Sequence, residues 1–80
     1  MIAQRFGRTP ALAESVSFDE DSLSVRLSDG RAIVAPLEWF PRLRGATDEQ
    51  RAHWGLIGGG VGIHWPDLDE DISVEGLLAH

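Results

Sequence analysis

The most informative stretch of the chain is Gly62-Ile63-His64-Trp65-Pro66-Asp67-Leu68-Asp69-Glu70-Asp71-Ile72-Ser73. Its first four residues are typical of a short apolar strand, which Pro66 ends because proline cannot donate a backbone hydrogen bond to a sheet. The residues Asp67 to Asp71 predict an acidic loop. Ser73 or Asp71 is positioned to cap a final helix that runs through Leu78. The remainder of the chain is expected to pack around this strand, loop and helix start.

Three strands are predicted before this stretch. Polar and apolar residues alternate over 14–18 and again over 22–28, which is the pattern of strands with one buried face. The dipeptide Asp29-Gly30 favours a tight hairpin turn, because glycine adopts positive φ without strain. The chain then returns over 31–35 as a third strand, which Pro36 ends. These segments predict an antiparallel three-stranded meander.

Two short helices are predicted after the meander. Proline is favoured in the first turn of a helix and glycine just after the last, so Pro41 and Gly45 bracket a helix that ends near Arg44. Thr47, with Gln50 three residues later, forms the capping-box pattern. This pattern predicts a second helix that runs to about residue 53.

A second hairpin and the final helix complete the predicted fold. Apolar residues over 54–57 and 61–65 flank three consecutive glycines, which are typical of a turn or bulge. The predicted order is therefore βββ-αα-ββ-α, an α+β domain with a mainly antiparallel sheet and short helices packed on it. Residues 14–80 form this single domain, and residues 1–13 are expected to be a poorly ordered N-terminal lead.

The composition argues against several functional classes. The chain of 80 residues has no cysteine, so disulfides and thiolate chemistry do not contribute, and no lysine for a Schiff base or a phosphate loop. Its net charge of −6 argues against direct nucleic-acid binding. No apolar run approaches the length of a membrane span, and the N-terminus lacks the apolar stretch of a signal peptide. We therefore expect a cytoplasmic protein without membrane attachment.

Charge is distributed unevenly along the chain. Arg42, Arg44 and Arg51 lie close together in the middle, whereas Ala52 to His80 contains five acidic residues and no arginine. The arginines predict either a patch for a phosphate or an acidic partner, or a solvated face. The acidic end suits a charged partner surface or self-pairing. The acidic residues predicted to contact a partner are Asp69, Glu70 and Asp71.

The acidic loop also has the beginning of a calcium-binding pattern. Asp67, Asp69 and Asp71 alternate as the first ligands of such a loop do. The sixth position, however, is Ile72 where a glycine is required, and the twelfth is Leu78 where a bidentate glutamate belongs. A solvated loop that caps the final helix is the preferred interpretation.

His64 is the main candidate for metal binding or catalysis. Together with Asp67, Asp69 or Asp71 it could hold a divalent ion or act as a base, as in a small metal-dependent hydrolase. In a strand, however, His64 and Trp65 point to opposite faces, and Asp67 lies beyond the end of that strand. A structural histidine is the preferred interpretation.

The glycine-rich segment Gly58–Gly62 has one feature of a phosphate-binding loop. Such a loop needs a helix to follow it, whereas a strand is predicted here. Local sequence also supports no arrangement of serine, histidine and aspartate. We therefore expect no catalytic residues and no cofactor.

Several motifs occur together in one order along the chain. They are Leu-Ser-Asp-Gly-Arg at 27–31, Pro-Leu-x-Trp-Phe-Pro-Arg-Leu at 36–43, Ala-Thr-x-Glu-Gln-Arg at 46–51, and Gly-Ile-His-Trp-Pro-x-Leu-Asp-Glu-Asp-Ile at 62–72. In these motifs the chain resembles, over about residues 16–78, a bacterial family catalogued as domain of unknown function 2442. The resemblance implies a small α+β domain with no settled catalytic activity. Some members carry a further DNA-binding-like helical segment at the C-terminus, which we do not expect for a chain that stops at His80.

The resemblance also implies a genomic setting, because members are often encoded beside another small protein in an arrangement like a toxin–antitoxin pair. The leading hypothesis is therefore a non-catalytic interaction module, the antitoxin-like partner of a protein encoded by the adjacent gene. A metal-binding protein or metal-dependent hydrolase is the alternative. A third hypothesis is a homo-oligomer that pairs through a sheet edge or tryptophan side chains.

Overall fold

The computed structural model describes residues 11–79. Within that range it contains six strands, one 3₁₀ turn and three short α-helices. Along the chain these are β1 (Ala13–Phe18), β2 (Ser22–Leu27), β3 (Ala32–Pro36), the 3₁₀ turn (Leu37–Trp39), α1 (Pro41–Arg44), α2 (Asp48–Ala52), β4 (Gly55–Ile57), β5 (Gly62–Trp65), β6 (Glu70–Ser73) and α3 (Val74–Leu78). The α+β class predicted from the sequence is confirmed, with all strand pairs antiparallel within this part of the chain.

The first sheet is the predicted meander, in the order β1-β2-β3. Its register places Val16 opposite Val25 and Val25 opposite Ile33. Because alternate residues of a strand share a face, this register turns Val16, Val25 and Ile33 to one side of the sheet, whereas Val34 faces away and is exposed. Gly30, in the turn between β2 and β3, has a φ of +94°, which confirms the role expected of glycine in the Asp-Gly pair.

The helical segment between the two sheets follows the predicted signals. α1 has Pro41 in its first turn and ends at Gly45. The Thr47 hydroxyl accepts a hydrogen bond of 3.1 Å from the Gln50 N–H, and the Gln50 amide oxygen accepts one of 3.0 Å from the Thr47 N–H. Both halves of the capping box are therefore formed, and α2 ends where His53 follows it.

The second sheet has one strand more than predicted. The sequence analysis assigned Asp67 to Asp71 to an acidic loop, but in the structure β6 already begins at Glu70. Asp69, with a φ of +51°, lies in the left-handed region that aspartate tolerates better than most residues, and the chain turns there. Ile72 then pairs with Ile63 of β5 and is buried. The central strand of this sheet is β5.

One core contains residues from both sheets and from the helices. No polar or charged residue of the described chain is buried in it. Burial of each large apolar side chain contributes about 1.5–3 kcal/mol relative to exposure. The largest fully buried side chains are Trp65, Leu23, Leu27, Leu43, Ile63 and Val25.

Two backbone hydrogen bonds join the glycine hairpin to its surroundings. The Ala13 N–H at the start of β1 donates to the Gly60 carbonyl oxygen at 2.7 Å, and the Val74 N–H donates to the Val61 carbonyl oxygen at 3.0 Å. Gly60 has a φ of +127°, and a Cβ atom there would lie 2.6 Å from the Ala13 carbonyl oxygen. Only glycine fits this close approach of the hairpin to the first sheet.

The final helix is capped by Ser73, whose hydroxyl accepts a hydrogen bond of 2.9 Å from the Gly76 N–H. Of the two caps considered from the sequence, the structure therefore uses the serine. No helix within residues 11–79 is long and apolar enough to cross a membrane. The predicted N-terminal lead lies, over residues 1–10, outside the described residues.

Candidate functional site

A side chain of α1 makes hydrogen bonds to the four-residue turn between β5 and β6. The Arg42 guanidinium donates to the Asp69 carbonyl oxygen at 2.7 Å and to the Leu68 carbonyl oxygen at 3.5 Å. The same group lies 3.9 Å from a Glu70 carboxylate oxygen. Arg42, Asp69 and Glu70, which were predicted to contact a partner, are thus near one another, with Arg42 bonded to the backbone of the turn.

A histidine from the end of α2 contacts the same turn. The Nδ1 atom of His53 lies 2.9 Å from a carboxylate oxygen of Asp67. The side chains of both residues are exposed. Arg42 therefore joins the turn to α1, and His53 joins it to the end of α2. Both contacts stabilise the conformation of the turn.

His64 contacts a different carboxylate. It lies directly opposite Asp71 across the β5–β6 ladder, and the imidazole Nδ1 forms a hydrogen bond with an Asp71 carboxylate oxygen. Directly opposite positions in a sheet bring side chains into contact, so this is a cross-strand pair. Gly55 of β4 is the third residue of the row and adds no side chain.

The residues proposed for a metal site are therefore divided between two pairs. Asp67, in the β5–β6 turn, lies with His53, and Asp71, in β6, lies with His64. No group of three or more histidine, aspartate or glutamate side chains within residues 11–79 is placed to hold a metal ion. His64, Asp67, Asp69 and Asp71 are thus not brought together as ligands of one ion.

The structure gives Arg51 an internal role that the sequence did not indicate. Its guanidinium donates to the carbonyl oxygens of Leu43 and Arg44, both at 2.9 Å. These are carbonyl groups of the last turn of α1, where regular helical partners run out; the Leu43 oxygen also accepts from the Ala46 N–H at 3.2 Å. The guanidinium also lies 5.5 Å from the centroid of the Phe18 ring, and the side chain is only 15% exposed. Arg51 therefore stabilises the fold and offers little surface to a partner.

The three arginines of the predicted patch make different contacts. Arg44 is exposed and lines a depression of about 270 Å³ together with Glu20, Asp21 and Glu38. Arg42 is directed to the β5–β6 turn, and Arg51 is enclosed against α1. The three arginines occupy three different environments.

Two carboxylates have perturbed pKa values, and both lie in hairpin turns. The Asp21 N–H, followed by the hydroxyl and N–H of Ser22, donates hydrogen bonds that hold the pKa of Asp19 below its ordinary value of 3.8. The N–H of Arg31 does the same for Asp29 against the opposing effect of desolvation, and the Arg31 guanidinium adds to it. Since these bonds shape the turns of the first sheet, both shifts have a structural origin.

An exposed apolar surface is the feature that sequence reasoning missed. Val61 is 51% exposed and Leu78 is 47% exposed, although both have large apolar side chains. They line a groove of about 550 Å³, which we call the α3 groove; its lining residues are Ala11, Val61, Ser73, Val74, Glu75 and Leu78. The sequence indicated this surface only in part. In α3 the helical spacing buries Val74 and Leu77, which leaves the adjacent Leu78 exposed to solvent.

The fold and its surfaces define a class of small α+β protein built from two three-stranded antiparallel sheets. The chain belongs to the family of proteins of unknown function DUF2442, whose model matches residues 13–80. The family resemblance drawn from the sequence motifs is thereby confirmed.

Two solved structures are similar to the chain. One is the crystal structure of a protein of unknown function from Rhodospirillum rubrum, with 32% identity, a TM-score of 0.75, and coverage of 89% of this chain and 88% of that one. The other is the solution NMR structure of an uncharacterized protein from Chromobacterium violaceum, with 26% identity, a TM-score of 0.75, and coverage of 95% of this chain and 72% of that one. No curated protein matches the chain.

Proposed function

We propose that the chain is a non-catalytic protein-interaction module, the antitoxin-like partner of a two-protein pair. The observation that carries this proposal is the exposed apolar surface of the second half of the chain. Four of the large hydrophobic residues there are more than one-third exposed: Leu56, Ile57, Val61 and Leu78. Val61 and Leu78 line the same groove, and exposed apolar surface that is grouped in this way marks an interaction site.

The position of these side chains supports an interface. Leu56 and Ile57 belong to β4, which is an edge strand of the second sheet, and Val61 follows in the same hairpin. Leu78 comes from α3, whose first N–H is bonded to Val61. Exposed apolar side chains on an edge strand and on the helix beside the hairpin offer the apolar core that an interface needs.

The charge of the chain supports a basic partner. All 13 acidic residues lie within the described part of the chain, against seven arginines in the whole sequence. Two of those arginines, Arg42 and Arg51, donate hydrogen bonds to backbone carbonyl groups. An acidic surface of this kind accelerates association with a basic protein and selects against acidic ones.

The protein encoded by the adjacent gene is the partner that we propose, on the basis of the toxin–antitoxin-like arrangement implied by the family resemblance. The absence of cysteine from the sequence is compatible with the reducing cytoplasm, where we propose that the pair acts. A homo-oligomer formed through the edge of the second sheet is the competing use of the same surface.

Co-expression of the chain with the product of the adjacent gene tests this function. We expect a complex of fixed stoichiometry in size-exclusion chromatography with light scattering, and we expect added salt to weaken it because opposite charges meet. The chain alone, measured at the same concentration, is the control for self-association. The absence of any complex at micromolar concentration would contradict the proposal, and a dimer of the chain alone would favour the homo-oligomer.

A further inference from the structure

We propose that the α3 groove binds a cationic amphipathic segment of the protein partner, in which aliphatic residues alternate with arginine or lysine. This inference rests on the proposed function and assigns the surface and the chemistry of the segment that it recognises. The occupant is a stretch of polypeptide that contributes both an apolar side chain and a neighbouring positive charge.

The apolar half of the inference comes from the shape of the groove. Val74 is buried and lies at its base, while Val61 and Leu78 are about half exposed on its sides. The volume of about 550 Å³ lies within the usual range for a binding site, about 300–1,000 Å³. A groove of this size and lining accommodates one or two aliphatic side chains of a peptide, which would cover Val61 and Leu78 from water.

The cationic half comes from charge complementarity. Glu75 is the one charged residue that lines the groove within the described chain, and it is exposed. Every lining residue except Ala11 belongs to the segment from Ala52 to His80, which has five acidic residues and no arginine. Of those five acids only Glu75 lines the groove, and the other four lie in the β5–β6 turn and in β6. An arginine or lysine of the occupant would therefore meet Glu75 on a chain whose net charge is −6, whereas an acidic occupant would be repelled.

Three synthetic peptides of equal length test the two requirements separately. The first alternates leucine with arginine, the second alternates leucine with glutamate, and the third alternates serine with arginine. Each is titrated into the full chain labelled with ¹⁵N, up to about 1 mM, the weak end of specific recognition. We expect the leucine–arginine peptide alone to shift the amide resonances of Val61, Val74, Glu75 and Leu78.

Paired variants locate the binding. Leu78→Ala is expected to weaken binding of the leucine–arginine peptide about tenfold, as loss of a buried anchor does. Glu75→Gln is expected to weaken it about threefold, as loss of one exposed ion pair does. The matched controls are Val34→Ala, an exposed valine of the first sheet, and Glu49→Gln, an exposed acid of α2, and neither should change the affinity.

The proposal is overturned if the serine–arginine peptide binds as well as the leucine–arginine peptide, or if the controls weaken binding as much as the groove variants. It is also overturned if no peptide shifts the groove resonances. Should Leu78→Ala disturb the fold in its own spectrum, Val61→Thr replaces it, because it adds a hydroxyl to the groove at nearly constant volume. A stable complex with the adjacent gene product that is insensitive to these variants would reject the groove and retain the proposed function. Peptide binding at the groove without such a complex would reject that partner alone.

Discussion

The indole Nε1 of Trp65 donates a hydrogen bond of 3.0 Å to the backbone carbonyl oxygen of Arg51. Trp65 is the last residue of β5 and is fully buried, and its ring meets the ring of Phe18 edge-on at a centroid distance of 6.3 Å. The Arg51 guanidinium lies over the ring of Phe18, 5.5 Å from its centroid. A single indole therefore connects the second sheet, the first sheet and α2.

Trp65→Phe tests this connection. The phenyl ring retains much of the apolar contact but has no N–H group, so the Arg51 carbonyl loses its indole donor. We expect the free energy of unfolding to fall by about 2 kcal/mol, from the lost hydrogen bond and the smaller buried volume. Urea unfolding measures this change. Trp39→Phe is the comparison, because Trp39 is 45% exposed and a smaller loss is expected there; equal losses would contradict the role of Trp65.

Arg51→Lys tests the internal role of the arginine. Lysine keeps the charge but cannot reach the carbonyl oxygens of Leu43 and Arg44 with one planar group. We expect a loss of about 1–2 kcal/mol of stability, since hydrogen bonds from a charged group are among the stronger ones. Arg44→Lys is the matched control, because that side chain is exposed, and it should change stability by no more than about 0.5 kcal/mol. Thermal unfolding of both variants measures these losses. A larger loss of stability in Arg44→Lys than in Arg51→Lys would refute the prediction.

Gly60→Ala tests the close approach of the hairpin to β1. The new methyl group would lie 2.6 Å from the Ala13 carbonyl oxygen, on a residue whose φ is +127°. We expect a loss of about 3 kcal/mol, from backbone strain and from displacement of the hydrogen bond to Ala13. Gly59 has a φ of +75° but open space around it, so Gly59→Ala is expected to lower the free energy of unfolding by only about 1 kcal/mol. Chemical denaturation measures the stability loss of each variant. Similar losses would show that the backbone moves to accommodate the methyl group at residue 60.

The pKa of Asp19 predicts a specific pH dependence. Because the hydrogen bonds of the folded state hold this pKa below 3.8, the ionised carboxylate stabilises the fold above pH 3.8. That contribution is lost as the pH falls through the lower pKa of the folded state. Titration of the Asp19 carboxyl by NMR should give a midpoint below 3.8.

Asp19→Asn provides the control for this titration. Asparagine retains an oxygen that accepts the same backbone hydrogen bonds but carries no charge. The stability difference between the wild type and Asp19→Asn should therefore shrink as the solution is acidified below pH 3.8. A difference that is constant with pH would show that the charge of Asp19 does not matter.

The elements that the sequence predicted correctly have local signals. The turn at Gly30 and the capping box of Thr47 and Gln50 each depend on residues within a few positions of one another, so their physical causes are visible in a short window. The meander follows from strict alternation of apolar and polar residues.

β6 escaped prediction because its first two residues are poor strand formers. Glu70 and Asp71 favour loops, and they join a strand here because the turn at Asp69 brings Ile72 opposite Ile63. That pairing is a tertiary effect. The only indication in the sequence of a positive φ at residue 69 is that aspartate tolerates the left-handed region better than most residues.

The candidate surfaces were predictable only in part for the same reason. The sequence showed that Arg42, Arg44 and Arg51 are close along the chain, but the carbonyl groups that accept from Arg42 and Arg51 come into reach only in the folded state. The α3 groove depends on the contact of α3 with Val61, the residue before β5. No spacing along the chain encodes such a contact.

The hydrogen bond between Ala13 and Gly60 also bears on how the chain reaches this fold. The two residues are far apart in sequence, so the loop between them must close before the bond can form, and closure of long loops slows folding. During synthesis, the first strand emerges well before its partner in the glycine hairpin. The meander can therefore form early on the ribosome, with Ala13 already paired with Leu27, but the hydrogen bond from Ala13 to Gly60 forms only after the second half of the protein has been translated.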